Sequence, residues 1–291
     1  MLKRLLHVFA LTAAILLAPT PRPEASLLAQ SRDADAKVPD RSQRMAEMQQ
    51  LAVALSFEEP DTTPPAKYLV AERPLLRFSD ADRGIVDGTL WAYGGEGRPA
   101  ALLEMYCGRY IPLGSYRHAW TATSDRPVKL LGAPGIQWTP RTSAVRWAAL
   151  ETNFTPAREP AARLSQFKSL AKRFSSFQIF NPGKQREELR LLVQPLHRYS
   201  DVKLHVADAA IFAFALGTNP EALLFLEAGD PSRGQSSWQF GMAQRGSSAE
   251  IHVLLDGQEV WTAQPLAKLK PEDPFCHFLR PVTGGPVLAA P

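Results

Sequence analysis

Apolar positions along this chain fall into two periods, and the switch from one to the other happens twice. Met45, Met48, Leu51, Ala52 and Leu55 follow helical spacing, and so do Leu164, Phe167, Leu170, Ala171 and Phe174. Each amphipathic run is followed by short apolar segments bounded by Gly, Pro, Asn and Asp, the pattern of strands. After the first run the predicted strands are Leu75–Ser79, Thr89–Tyr93, Ala100–Tyr106, Tyr116–Thr123, Pro127–Leu131 and Gln137–Thr139. After the second they are Leu189–Tyr199, Ala209–Leu216, Ala222–Glu227, Trp238–Ala243, Glu250–Leu255 and Glu259–Thr262. Gly94-Gly95-Glu96-Gly97, Gly217-Thr218-Asn219-Pro220 and Asp256-Gly257 carry turn chemistry. Spacings this short leave no room for helical crossovers, so the strands are expected to form antiparallel meanders.

The two series also match residue by residue. Pro74-Leu75-Leu76-Arg77-Phe78-Ser79-Asp80 returns 121 positions later as Pro195-Leu196-His197-Arg198-Tyr199-Ser200-Asp201, and segments 74–103 and 195–224 share eleven identities. Unrelated sequences of average composition share roughly two in such a window. The expectation is therefore an α+β fold built by tandem internal duplication, each repeat an amphipathic helix followed by an antiparallel β-meander, packed about a pseudo-twofold axis. Repeat one spans 44–140 and repeat two 163–265, with a linker at 141–162 and a tail at 266–291. In the second strand of each series Trp91 and Tyr93 match Phe212 and Phe214, while Leu90 and Ala92 match Ile211 and Ala213. Both faces are apolar, so these strands are expected to be covered on two sides.

The first 29 residues change the picture of where the protein works. Lys3 and Arg4 precede an apolar run from Leu5 to Ala18, and small residues close the segment at Ala25, Ser26 and Ala29. This is the pattern of a cleaved secretory signal peptide, too short to span a bilayer, which takes about 20 residues. The expectation is an exported protein, periplasmic or extracellular, with no membrane span after cleavage and a mobile segment at 30–43. Removing residues 1–29 lowers the formal net charge from +4 to +2. With no cluster of Lys and Arg, nucleic acid is not an expected partner. Cys107 and Cys276 leave two states open in an oxidising compartment, a bridge between them or two free thiols.

Candidate chemistry is sparse. The chain lacks Gly-x-Ser-x-Gly, a Walker loop, a dinucleotide fingerprint and His-Glu-x-x-His, so no cofactor or metal is expected. His197, His205 and Asp208 are the histidines and carboxylate closest to forming a catalytic or metal-binding group. The recurring polar residues carry more information: Arg77, Asp80 and Asp87 return as Arg198, Asp201 and Asp208. A planar guanidinium suits a carboxylate, so arginine–aspartate pairs bracing each hairpin are expected.

Several segments together, Arg186-Glu187-Glu188-Leu189-Arg190-Leu191-Leu192, Gln194-Pro195-Leu196 through Tyr199, Phe212-Ala213-Phe214 and Gly217-Thr218-Asn219-Pro220-Glu221-Ala222-Leu223-Leu224, resemble an uncharacterised family of exported proteins from planctomycete-type bacteria. The resemblance implies a bacterial, exported protein and supplies no catalytic residue, cofactor or substrate. The favoured expectation is a noncatalytic exported binding or structural module of the bacterial envelope, meeting a protein or polysaccharide. The alternatives are a carrier of an apolar ligand held between helices and sheet, and a hydrolase of unrecognised type.

Overall fold

Asp40 starts the first helix: its carboxylate accepts hydrogen bonds from the Ser42 and Gln43 amides, each 2.8 Å, satisfying donors that a helix start leaves free. The computed structural model describes residues 39–289 apart from 96, 181–184, 231–236, 246–247 and 283–287. The predicted signal peptide at 1–29 and the greater part of the 30–43 segment lie outside the described residues. In chain order the elements are α1 (Arg41–Val53), β1 (Ser56–Glu59), β2 (Ala66–Tyr68), β3 (Leu76–Asp80), β4 (Ile85–Tyr93), β5 (Ala101–Gly108), β6 (Ser115–Ala122), β7 (Lys129–Leu131) and β8 (Arg146–Leu150). They continue with α2 (Pro160–Ala171), β9 (Phe174–Phe180), β10 (Gln185–Leu191), β11 (His197–Asp201), β12 (Val206–Leu216), β13 (Asn219–Gly229), β14 (Trp238–Gln244), β15 (Ala249–Leu255), β16 (Gln258–Ala263), β17 (Phe275–Pro281) and β18 (Leu288–Ala289).

The strands form three antiparallel sheets. A six-stranded sheet has the order β18-β17-β6-β5-β4-β3, and a three-stranded sheet the order β2-β1-β7. A nine-stranded, curled sheet runs β16-β15-β9-β10-β12-β13-β14-β8, with β11 also pairing β12. Among the described residues strands hold 49% and helices 11%. The expected α+β tandem of helix-plus-meander repeats is therefore corrected: the protein is predominantly antiparallel β. Two physical facts account for the misreading. The stretch holding Pro60, Pro64 and Pro65 gives no strand signal, yet β1 and β2 flank the turn it makes. The edges left by β6 and β14 are then completed by strands distant in sequence. β17, in the expected tail, pairs β6, and β8, in the expected linker, pairs β14. An unpaired edge leaves a row of backbone donors and acceptors open, and these two strands cover it. Gly241 on β14 lets β8 lie close, since a Cβ there would meet the Trp147 ring at 2.9 Å. The expected mobile segment and linker also end early, because α1 begins at Arg41 and α2 at Pro160, a residue suited to a helix start.

The core has three parts. Met48, Leu51 and Ala52 of α1 pack with Phe57, Trp91, Tyr93, Trp120 and Trp138, where the Phe57 ring lies 5.1–5.6 Å from three other aromatic rings in edge-on geometry. Phe167, Leu170 and Ala171 of α2 pack with Phe212, Phe214 and Leu224. Leu90, Ala92 and Leu102 meet Ile211, Ala213, Leu223 and Phe225 in a third cluster between the six-stranded and nine-stranded sheets. β4 and β12 are thus buried on both faces, each face in a different cluster.

Candidate functional site

Carboxylates interrupt otherwise apolar strands at the seam between the two large sheets, one in β5 and two in β13. Glu104 sits within Ala101-Leu102-Leu103-Glu104-Met105 of β5, and Glu221 opens the apolar run of β13. Both are buried, 6% and 1% exposed, so each needs a partner. The Arg83 Nη1 donates to Glu221 Oε1, and the Asn219 Nδ2 donates to the same oxygen at 3.0 Å. Arg245, one residue past β14, reaches across to the other sheet. Its Nη1 donates to Thr121 Oγ1, and its Nη2 donates to the Ala119 carbonyl at 3.0 Å and to Glu104 Oε2 at 3.4 Å.

These groups line a cleft of about 260 Å³, closed by Tyr106, Tyr110, Arg117 and His277. Its hydrogen bonding is incomplete. Arg245 is 4% exposed and its Nε has no partner, nor does the buried Asn219 Oδ1. The half-buried Arg117 makes no side-chain hydrogen bond or ion pair among the described residues. Burial pushes the Glu221 carboxyl up to about 7, against the pull of Arg83 and with the push of Glu104. Burial likewise raises Glu104, opposed by Arg245, and lowers Arg245 itself. His277 is pushed down to about 4, by burial first and then by Arg117 and Arg245. Neutral pH thus favours an uncharged His277, and burial works against the charged forms of Glu104, Glu221 and Arg245 alike.

The same seam carries a second charged group, and it is saturated. Arg98 holds the fully buried Glu227 with two bonds of 3.0 Å, the Tyr199 hydroxyl donates to Glu227 Oε1, and Gln239 Nε2 donates to Oε2 at 2.5 Å. Arg98 also lies 4.2 Å from the centre of the Trp147 ring and bonds Asp125 at 2.7 Å. Burial works against the Arg98 charge, and the Glu227 bonds outweigh it, holding the guanidinium above its ordinary pKa. Every polar atom of Glu227 is occupied, which makes this group a brace for the neighbouring 580 Å³ cleft around Arg126, His197 and Asp201.

The expected arginine–aspartate pairs form, with a different division of labour. Arg77 bonds Asp87 through Nε at 2.8 Å and Nη2 at 2.5 Å, and Arg44 Nε joins the same carboxylate at 3.0 Å. Asp208 is held by Arg198, through Nη2 alone, and by Arg163 Nε at 2.9 Å. Arg44 and Arg163 come from the first turns of α1 and α2, so each clamp ties a helix start to a strand. Sequence reading missed both arginines, although their recurrence 119 residues apart was a signal. Asp80 and Asp201 instead cap turns: Asp80 Oδ1 accepts from the Arg83 amide at 3.1 Å, and Asp201 Oδ1 from the Lys203 and Leu204 amides at 3.0 and 3.1 Å.

His197, His205 and Asp208 are not brought together. Asp208 is engaged by its two arginines, His197 stacks 6.1 Å from Tyr199, and His205 occupies a turn at φ 58° with its Nδ1 unpartnered. Among the described residues no group of three or more His, Cys, Asp or Glu side chains is placed to hold a metal. Cys107 and Cys276 are both free. Leu103 pairs Trp120, which pairs Cys276, so Cys107 lies four residues further along and two strands away. That is roughly 16 Å at ordinary strand dimensions, beyond the ~7 Å Cα separation a disulfide allows. The bridge is excluded by register. Burial raises both thiols, Cys276 to about 12. No helix among the described residues is long and apolar enough to cross a membrane. Comparison of the chain with family models, curated proteins and solved structures found no match.

Proposed function

We propose that the protein is an exported, noncatalytic binding module whose ligand site is the cleft at the seam of the two large sheets. The observation that carries this reading is the incomplete hydrogen bonding of that cleft: the buried Arg245 Nε and Asn219 Oδ1 lack partners, and Arg117 beside them is unpaired. Buried polar groups without partners are costly and rare in folded proteins, and a polar ligand would complete them. Binding is favoured over catalysis because each buried carboxylate is engaged by an arginine, Arg83 on Glu221 and Arg245 on Glu104. What remains free is two arginine groups and one amide acceptor, suited to holding a ligand.

Export is supported by the basic-then-apolar segment at 1–29 and by the resemblance to exported planctomycete-type proteins. An internal repeat is supported by matched features 121 residues apart. The bridge Val70↔Tyr93 has its counterpart in Leu191↔Phe214, and the register shift at Phe78/Asp80 in Tyr199/Asp201. The apolar-carrier alternative draws no support from packing, since Trp91, Tyr93, Phe212 and Phe214 are at most 1% exposed and fill the spaces that cargo would need.

A thermal-shift screen against small organic anions, sugars and amino acids tests the reading, with Arg117→Gln run in parallel. The expected result is a class of polar solutes that raises the melting temperature of the wild type and not of the variant. Stabilisation by apolar solutes alone, or equal stabilisation of both proteins, would refute it.

A further inference from the structure

The groups left open in the seam cleft specify a ligand, on the reading that this cleft is the binding site. Arg117 has an unengaged guanidinium, and Arg245 has a buried donor at Nε without an acceptor. A guanidinium presents donors in a planar fork that matches a carboxylate, so the ligand carries one anionic group of that shape. Asn219 Oδ1 is a buried acceptor without a donor. Beside it lies the Glu221 carboxyl, raised to about 7 by burial and so able to donate as well as accept near neutral pH. Acceptors and donors mixed in this way suit hydroxyl groups, which do both.

The rim adds an apolar contact. Tyr110 is 80% exposed, with Ile111 next to it. An exposed aromatic ring at the mouth of a polar cleft offers a flat surface to the C–H face of a ring-shaped ligand. The cleft, at about 260 Å³, is small and so suits a single ring better than a chain of them. Its charges agree: Arg83, Arg117 and Arg245 line it against Glu104 and Glu221 alone.

We propose that the cleft binds one acidic sugar unit, a hydroxylated ring carrying a carboxylate. The carboxylate sits at Arg117 and Arg245, the hydroxyls at Asn219 and Glu221, and the ring face against Tyr110. A terminal uronate of an envelope polysaccharide is the form of this chemistry an exported protein would meet.

Isothermal titration calorimetry of the full chain with free galacturonate and glucuronate is the test, alongside galactose, acetate and inorganic phosphate. The uronates are expected to bind at least tenfold more tightly than the other three. Arg117→Gln is expected to weaken uronate binding at least tenfold, and Tyr110→Ala several-fold, with the melting temperature of both variants unchanged. Both side chains reach solvent at the rim, so neither substitution threatens folding. No uronate binding by folded wild type would overturn the proposal. Phosphate or acetate binding as tight as uronate, and lost in Arg117→Gln, would overturn the sugar class and leave the cleft as the binding site. Uronate binding that neither variant weakens would place it elsewhere and overturn both.

Discussion

Replacing His118 with phenylalanine should turn an acid-sensitive core into an acid-tolerant one. His118 is fully buried on β6, stacked on Phe278 at 4.8 Å and 14°, with Nδ1 3.1 Å from the Tyr116 carbonyl and Nε2 unpartnered. Burial pushes its pKa down to about 3 from 6.5, with the Tyr116 bond opposing and Arg280 adding a little. The sign follows from proton counting. Between those two values the unfolded chain binds a proton that the folded chain refuses, so stability is full above 6.5 and falls as the pH drops towards 3. At pH 4.5, two units below the unfolded value, the loss is roughly 3 kcal/mol at ~1.4 kcal/mol per unit. Phenylalanine keeps the stack on Phe278 and gives up one hydrogen bond, a cost of about 1 kcal/mol. The variant should therefore be up to ~1 kcal/mol less stable at pH 7.5 and about 2 kcal/mol more stable at pH 4.5. Urea unfolding followed by tryptophan fluorescence at pH 7.5, 6.0 and 4.5 reads this crossing. His277 titrates in the same window in both proteins, so it cancels in the comparison. A stability difference that stays constant across the three pH values would refute the buried neutral histidine.

Other consequences follow from the charged groups and the sheet edges. Asp208→Ala strands Arg163 and Arg198 at the start of α2 and should cost about 2–4 kcal/mol in chemical denaturation. A loss under ~0.5 kcal/mol, the range of an ordinary surface change, would deny the clamp its role. Glu221 has a folded pKa above its ordinary value, so its contribution is full at low pH and lost as the pH rises from about 4.5 to about 7. The Glu221→Gln variant, lacking that loss, should gain up to ~3 kcal/mol relative to wild type between pH 5 and 8, and a flat difference would contradict the assignment. Thiol titration in denaturant should find two free thiols with and without prior reduction, and a single reduction-dependent pair would contradict the register of β5, β6 and β17. Ending the chain after Asp273 removes β17 and the buried Phe278. The truncated protein should be recovered insoluble, and a soluble, cooperatively folding product would show that the β6 edge needs no cover.

What the sequence reveals is local. Met48, Leu51 and Ala52, and Phe167, Leu170 and Ala171, face the core at the spacing that announced the two helices. Trp91 and Tyr93 alternate with Leu90 and Ala92, and the two sets do enter different clusters. Asp256-Gly257 turns between β15 and β16 with both residues at positive φ, 51° and 83°, as a two-residue hairpin loop requires. Pairing across long separations left no such trace. β8 carries exposed Arg146, Ala148 and Ala149, a pattern without apolar alternation, and its partner β14 lies some ninety residues on. β17 follows a segment rich in Pro and Lys that reads as tail. Without these strands the sheet is undercounted, and the chain reads as α+β. The site divides in the same way. Glu104 and Glu221 stand out as charges within apolar strands, but their meaning comes from Arg245 and Arg83, which the fold brings from the other sheet.

Native mass spectrometry of the protein recovered without detergent from its own host, wild type beside Arg117→Gln, tests the binding cleft most directly. The account predicts a reproducible extra mass on the wild type, matching a small acidic sugar and absent from the variant. A wild type that flies bare, or an extra mass that survives the loss of Arg117, would contradict it.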